Sequence, residues 1–209
     1  MIILIPSYNE IKTLKKIIIF LKKKKFNFIV IDDFSNDGTE NYLKKFKFNY
    51  IRNTKKLGYT GSLIKGFNFL KNKKYRYILT LDADGEHPVK YIKTFLKNIT
   101  KNNHDLVIGK RLKKNRISET IVGYIFKKLF KISDPLSGFK IYKQKSLNKI
   151  LNKVENNYFL VDVIPKFKKM KFKISEFPIK TNKIKKRKSK IGNIITSNLK
   201  ILFTLKGII

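Results

Sequence analysis

Two aspartates one residue apart, Asp82 and Asp84, end the apolar run Tyr77-Ile78-Leu79-Thr80-Leu81, and Glu86, His87 and Pro88 stand directly behind them. Paired carboxylates delivered by the C-terminal end of a buried strand suit a hard divalent cation, which takes oxygen ligands and shares them with phosphate oxygens. Carbonyl and carboxylate oxygens favour Mg2+ or Mn2+ over zinc. Three further polar clusters follow apolar runs in the same manner: Pro6-Ser7-Tyr8-Asn9-Glu10, then Asp32-Asp33, then Lys110-Arg111. A held cation with a guanidinium nearby stabilises negative charge developing on a departing diphosphate. The chemistry indicated is therefore on a phosphorylated ligand.

Plainer roles exist for the same residues. Asp82 and Asp84 could cap a helix beginning near Pro88. Asp33 and Asp37 could be turn formers, and Asp134 a turn residue before Pro135. Arg111 could lie on the surface, and a lone His87 reads as structural or near the site rather than as a ligand.

Apolar periodicity places strands at 2–5, 28–31, 48–52, 75–81 and 105–108. Helices are expected after Asn9 as N-cap, in a short stretch after the turn-rich 32–39, at 58–70, and at 89–100 with Pro88 at the start. Gly61 and Gly66 permit close packing of the third of these. Strand–helix–strand spacing of this kind gives right-handed crossovers and a mostly parallel sheet, with ligands bound outside the carboxyl ends of the strands. All four polar clusters should then share one sheet edge. The second half reads as a helix at 118–130, a loop at 134–138, a strand at 139–142, helices at 144–151 and 159–170 with Pro165 kinking or shortening the latter, and a strand at 172–179. A basic stretch, 181–190, precedes an amphipathic segment, 191–209, which Asn193, Ser197, Asn198, Lys200 and Lys206 make a poor membrane span.

The 209 residues suit one domain, and 42% hydrophobic content argues against disorder. Without cysteine there is no disulfide, thiolate metal site or cysteine nucleophile. No basic leader with an apolar core precedes Ile2, so no signal peptide is expected. The net charge of +35 attracts anions. Only five of the 49 basic residues are arginine, which fits a codon bias towards lysine as well as it fits selection for an anionic partner. A nucleic-acid-binding module is the rival from another class. It would need aromatics interleaved with cations on one surface, whereas here the aromatics sit at core spacing and the acids gather at strand ends.

No glycine-rich dinucleotide fingerprint and no phosphate-loop lysine follows the first strand. The clusters instead resemble family 2 glycosyltransferases of the GT-A fold. The matching segments are Ile5-Pro6-Ser7-Tyr8-Asn9-Glu10, Ile31-Asp32-Asp33 through Thr39, Leu81-Asp82-Ala83-Asp84-Gly85-Glu86-His87-Pro88, Ile108-Gly109-Lys110-Arg111, Asp134-Pro135-Leu136-Ser137-Gly138-Phe139 and Glu176-Phe177-Pro178-Ile179. Within that family the chain is most similar to dolichyl- or polyprenyl-phosphate sugar synthases, partly through Ser189-Lys190, although Arg187 stands where a glycine is usual.

The resemblance implies an α/β architecture. Residues 1–180 form one GT-A (Rossmann-like) domain, divided into a nucleotide-sugar-binding half, 1–111, and an acceptor half, 112–180; 181–209 form a basic loop and amphipathic helix. It implies that Pro6, Tyr8 and Glu10 line the base and ribose pocket, and that Ile31 and Asp33 contact the nucleobase. Asp82 and Ala83 contact ribose and diphosphate. Asp84 ligates Mg2+ or Mn2+ with Glu86, often Gln in the family, as the next ligand. Arg111 and Lys190 meet phosphate oxygens. The expected donor is a GDP- or UDP-linked sugar. A hydroxyl acceptor, such as a cell-surface glycan, needs a carboxylate base, for which Asp134 and Asp162 are the single candidates. The late Glu-Asp pair that many members keep is missing. A polyprenyl phosphate is already a nucleophilic anion and needs no base, so it is the favoured acceptor, in an inverting transfer at the cytoplasmic face of a membrane. The basic stretch and the tail suit that surface, although the tail would equally serve as a core or dimer helix.

Overall fold

The computed structural model describes residues 1–114, 116–154 and 158–182. Its strands are β1 (Ile2–Ser7), β2 (Phe28–Asp32), β3 (Tyr50–Arg52), β4 (Tyr77–Thr80), β5 (Leu106–Arg111), β6 (Lys140–Lys143) and β7 (Ile174–Ile179). Its helices are α1 (Ile11–Lys23), α2 (Thr39–Lys45), α3 (Gly58–Leu70), α4 (Ile92–Lys101), α5 (Ile117–Phe130), α6 (Gln144–Ile150) and α7 (Phe159–Lys169). The described strands form one sheet in the order β3-β2-β1-β4-β6-β5-β7. Only β6 runs antiparallel to its neighbours, β4 and β5; the other pairings are parallel. The carboxyl ends of β1, β2, β4 and β5 therefore lie on one edge, as the sequence pattern requires, and the reversed β6 starts from that same edge.

Both faces of the sheet are covered, which is why the central strands read as unbroken apolar runs. Leu4, Ile31, Ile78 and Tyr142 pack on one face against α3, α5, α6 and α7. Ile3, Ile5, Val30 and Leu79 pack on the other against α1, α2 and α4. At Gly66 in α3, an added Cβ would run into Leu4 and Ile31, so the helix lies directly on the sheet.

Some local expectations are revised. Asn9 does not cap α1. It adopts a left-handed backbone, φ 53°, and its side chain accepts the Asn36 N–H at 2.9 Å. The cap comes from the neighbouring loop after β2, where Asp37 accepts the Ile11 N–H at 2.8 Å. Pro88 opens a single 3-10 turn, Val89–Tyr91, ahead of α4. Pro165 sits inside α7, which runs on to Lys169; the ring removes one interior hydrogen bond, to the Val161 carbonyl, without ending the helix. The third strand begins at Tyr50 rather than 48. The amphipathic segment 191–209 lies outside the described residues. Among the described residues no helix is long and apolar enough to cross a membrane.

Candidate active site

The chain leaves β4 at Leu81, whose N–H still bonds to the Leu4 carbonyl at 3.1 Å. Asp82 then enters the cleft. Its Oδ1 accepts a hydrogen bond from the Tyr59 hydroxyl at 2.7 Å, a residue in the first turn of α3. Asp84 follows, with its Oδ1 accepting the Glu86 N–H at 2.9 Å and closing a turn over Gly85. Asn182, just beyond β7, straps this turn from outside: its side chain donates to the Gly85 carbonyl at 2.9 Å and its N–H to the Glu86 carbonyl at 2.9 Å. The loop that precedes β6 presses onto Asp82 so closely that a Cβ on Gly138 would lie 2.6 Å from Asp82 Oδ1. A side chain there would have to push the Asp82 carboxylate and the Tyr59 hydroxyl aside.

Burial raises the pKa of all three acids of this turn, against the charges that oppose it. Burial pushes the Asp82 carboxyl up to about 6, against the Tyr59 hydrogen bond and the Arg111 and Lys140 charges, which pull it down. Asp84 is raised by burial and then by the Asp82 charge. Glu86 is raised chiefly by burial, with Arg111 opposing. His87 is buried beside Phe139, ring centroids 5.4 Å apart, and burial lowers it to about 4. It is therefore neutral at pH 7, and its Nδ1 faces the Asp82 N–H at 3.5 Å as an acceptor rather than forming an ion pair with the Asp82 carboxylate at the same distance.

Arg111, at the end of β5, is 8% exposed and not a surface residue. Its Nε and Nη2 donate to the two oxygens of Asp134 at 2.9 Å each, and its backbone N–H donates to Asp134 Oδ2 at 2.9 Å. Glu119 of α5 approaches Nη2 at 3.3 Å, and Nη1 points towards Glu86 at 3.8 Å. Burial alone would lower its pKa, but Asp134, Glu119 and Glu86 together raise it. Asp134, 1% exposed, is held in turn by Glu176 of β7, which accepts the Asp134 N–H at 2.7 Å and the Ser133 N–H at 2.9 Å. A relay thus runs from β7 through the 133–134 turn to the guanidinium.

The β1 and β2 ends build the opposite wall. The Asp33 N–H bonds to the Ser7 carbonyl at 2.8 Å, and the Asn9 N–H bonds to Ser35 Oγ at 3.0 Å. Asp33 is buried. Its Oδ1 accepts from Asn53 at 2.8 Å and from the Leu57 N–H at 2.7 Å, and its Oδ2 accepts from the Gly58 N–H at 2.9 Å, so it caps α3 from a distance. Asp32 is tied to Arg52 at 2.6 Å. Pro6 and Glu10 are buried, and Tyr8 is partly exposed with the Lys56 ammonium 4.0 Å above its ring. Ile31 is wholly buried beneath α3. Ala83 is likewise buried, leaving its backbone for any ligand contact. Lys190 lies outside the described residues.

Two participants escaped sequence reasoning. Tyr59 sits in an apolar-looking helix start, and nothing local announces its bond to Asp82. Lys140 stands in a strand, where a lysine normally faces water, yet it is fully buried. Its ammonium donates to the Pro135 carbonyl at 2.7 Å and the Leu160 carbonyl at 2.9 Å. Burial lowers it to about 7, with Asp134 opposing that shift.

A mostly parallel sheet with an acidic turn at the β4 end and a buried cation opposite is the GT-A type of α/β fold. The structure is similar to glucosyl-3-phosphoglycerate synthase from Mycobacterium tuberculosis in complex with Mn2+, UDP-glucose and phosphoglyceric acid, with a TM-score of 0.76 at 15% identity over 99% of this chain and 78% of that one. The same synthase in complex with Mg2+ and UDP gives a TM-score of 0.74 at 15% identity, over 99% and 79%. In sequence, an uncharacterized protein of Methanocaldococcus jannaschii is 28% identical over 219 residues, 97% of this chain and 89% of that protein. The glycosyl transferase family 2 profile matches residues 2–173, and the chain belongs to that family. It is a glycosyltransferase.

Proposed function

We propose that the enzyme moves a sugar, with inversion, from a UDP- or GDP-linked donor to a polyprenyl phosphate, using Mg2+ or Mn2+. The observation that carries the acceptor is the engagement of each described carboxylate in the acceptor half. Asp134 is clamped by Arg111, Asp162 is paired with Lys166, Glu119 faces Arg111 and Arg116, and Glu176 holds the 133–134 turn. Neither of the two candidate bases, Asp134 and Asp162, is placed to take a proton from a hydroxyl. A phosphate acceptor asks for none.

The donor set suits the cation. Asp84 and Glu86 are hard oxygen ligands whose pKa values are raised chiefly by burial, so a cation beside them would stabilise their charged forms. Among the described residues no group of three or more ligating side chains is assembled, which matches a hard ion that completes its shell with substrate phosphates and water. Such an ion neutralises diphosphate charge as the sugar bond breaks. Asp82, oriented by Tyr59, receives the ribose and diphosphate side of the donor together with the Ala83 backbone. Arg111 meets the phosphate oxygens, with Asp134 as its positioning residue. Pro6, Tyr8 and Glu10 form the base and ribose wall, and Asp33, one of whose oxygens carries a single bond, retains a lone pair for a base N–H.

The test is a screen of radiolabelled UDP- and GDP-sugars with Mn2+ and polyprenyl phosphate, reading label extracted into the lipid phase. Label there supports the assignment. Label found only in a glycan or in phosphoglyceric acid overturns the acceptor while leaving the donor chemistry intact.

A further inference from the structure

We propose that the outward face of α5 seats the enzyme on an anionic lipid bilayer beside the cleft, an inference that rests on the lipid-phosphate reading and extends it to a named surface. A helix packed on a domain normally turns polar residues to water. The outward face of α5 instead presents Ile117, Ile121 and Tyr124, 77%, 43% and 59% exposed, at the i, i+4, i+7 spacing of a single helical stripe. Leu112, ahead of α5, and Leu129, in its last turn, are also more than half exposed.

The setting of the stripe identifies its partner. Exposed Lys113, Lys127, Lys128 and Lys131 border it, and the Lys128 ammonium lies 4.7 Å from the Tyr124 ring centroid. The one acid of α5, Glu119, is turned inward to Arg111. An apolar stripe rimmed by cations without exposed acids fits an interface of acyl chains and anionic headgroups. A second copy on the same face would set lysines against lysines, and the basic stretch 183–190 carries the same sign. The Glu119–Arg111 contact, 3.3 Å, also puts the first turn of α5 at the rim of the active site. An enzyme seated on this face would meet a membrane-borne phosphate without extracting its chain from the bilayer.

The chain has no tryptophan, so Ile121→Trp in the full-length protein gives a single reporter. With vesicles of phosphatidylglycerol and phosphatidylcholine its emission should shift to the blue and be quenched by brominated acyl chains, with weaker effects on phosphatidylcholine alone. Co-sedimentation with unshifted emission would mean that another segment carries the binding, and would overturn the proposal. The double variant Ile117→Glu, Ile121→Glu should lose roughly tenfold or more in vesicle partitioning, as expected when an apolar face is charged, while keeping Mn2+-dependent UDP binding. Unchanged partitioning also overturns it. A water-soluble short-chain prenyl phosphate separates the two ideas. Label transfer to it with a reporter that stays in water on every vesicle refutes the seat alone. A shifted reporter without transfer to any prenyl phosphate refutes the acceptor alone.

Discussion

Two strand ends of this molecule carry paired acids, Asp32-Asp33 after β2 and Asp82-Ala83-Asp84 after β4, and the fold treats them in opposite ways. The β2 pair is held in place by its own chain: Asp32 holds Arg52 and the Ser35 N–H, and Asp33 holds Asn53 and two backbone N–H groups of the α3 start. The β4 pair receives one hydroxyl and one N–H, and both acids are pushed towards the neutral form. Similar sequence therefore yields a structural tether in one place and, in the other, two buried acids with few donors, where the proposed cation would sit. What separates them is the supply of donors within reach.

The comparison breaks most visibly at Asp84. Asp84→Ala should reduce turnover by about a thousandfold or more, the scale of removing a principal electrostatic stabiliser, and abolish metal-dependent nucleotide binding, while the melting temperature stays level or rises. Isothermal titration with Mn2+ and UDP, set beside a thermal melt, checks both. Retained activity would show that the β4 pair is a tether as well. Asp134→Ala should come next. It strands a buried guanidinium, and breaking such a pair costs about 3 kcal/mol or more of stability, with activity falling because Arg111 loses its aim. Urea unfolding measures the first. Arg111→Lys, which keeps charge but not the bidentate fork, should repeat the kinetic defect with a smaller loss of stability.

At β2 the expectation reverses. Asp33→Ala leaves the Leu57 and Gly58 N–H groups and the Asn53 amide without their acceptor, at about 2 kcal/mol. Its main effect should be a lowered melting temperature, with Mn2+ binding retained below the transition. A melt as stable as wild type would show that α3 does not depend on this cap.

The sheet, its helices and the convergence of four clusters on one edge are legible in the sequence because burial on both faces leaves long apolar runs with polar residues only at their ends. Less legible are features that depend on long-range reversal. Strand β6 looks like any other apolar run, yet its antiparallel insertion between β4 and β5 is what brings Gly138 against Asp82 and buries Lys140. Asp134 reads equally as a base or a turn former; only its partner, 23 residues earlier, decides that it is a clamp. Asn9 shows the same limit in miniature, since the cap of α1 came from Asp37, in the loop after the neighbouring strand.

The smallest predicted effect is a pH response that separates the two acid pairs. Asp82 releases its proton at about 6 in the folded protein against an ordinary 3.8, so between those values the folded state holds a proton that the unfolded chain has given up. That difference makes folding more favourable as the pH falls through the window, and less favourable above it. A bound divalent cation competes with the same proton. The stabilisation that Mn2+ confers on the wild type in a thermal melt should therefore shrink between pH 7.5 and pH 5. Asp82→Asn, which keeps an oxygen to accept the Tyr59 hydrogen bond but carries no charge, should melt above the metal-free wild type at pH 7.5, and the two curves should converge by pH 4. A constant gap across that range would mean that the burial of Asp82 is already compensated by Tyr59 and Arg111, and that the contrast with Asp33 is one of geometry alone.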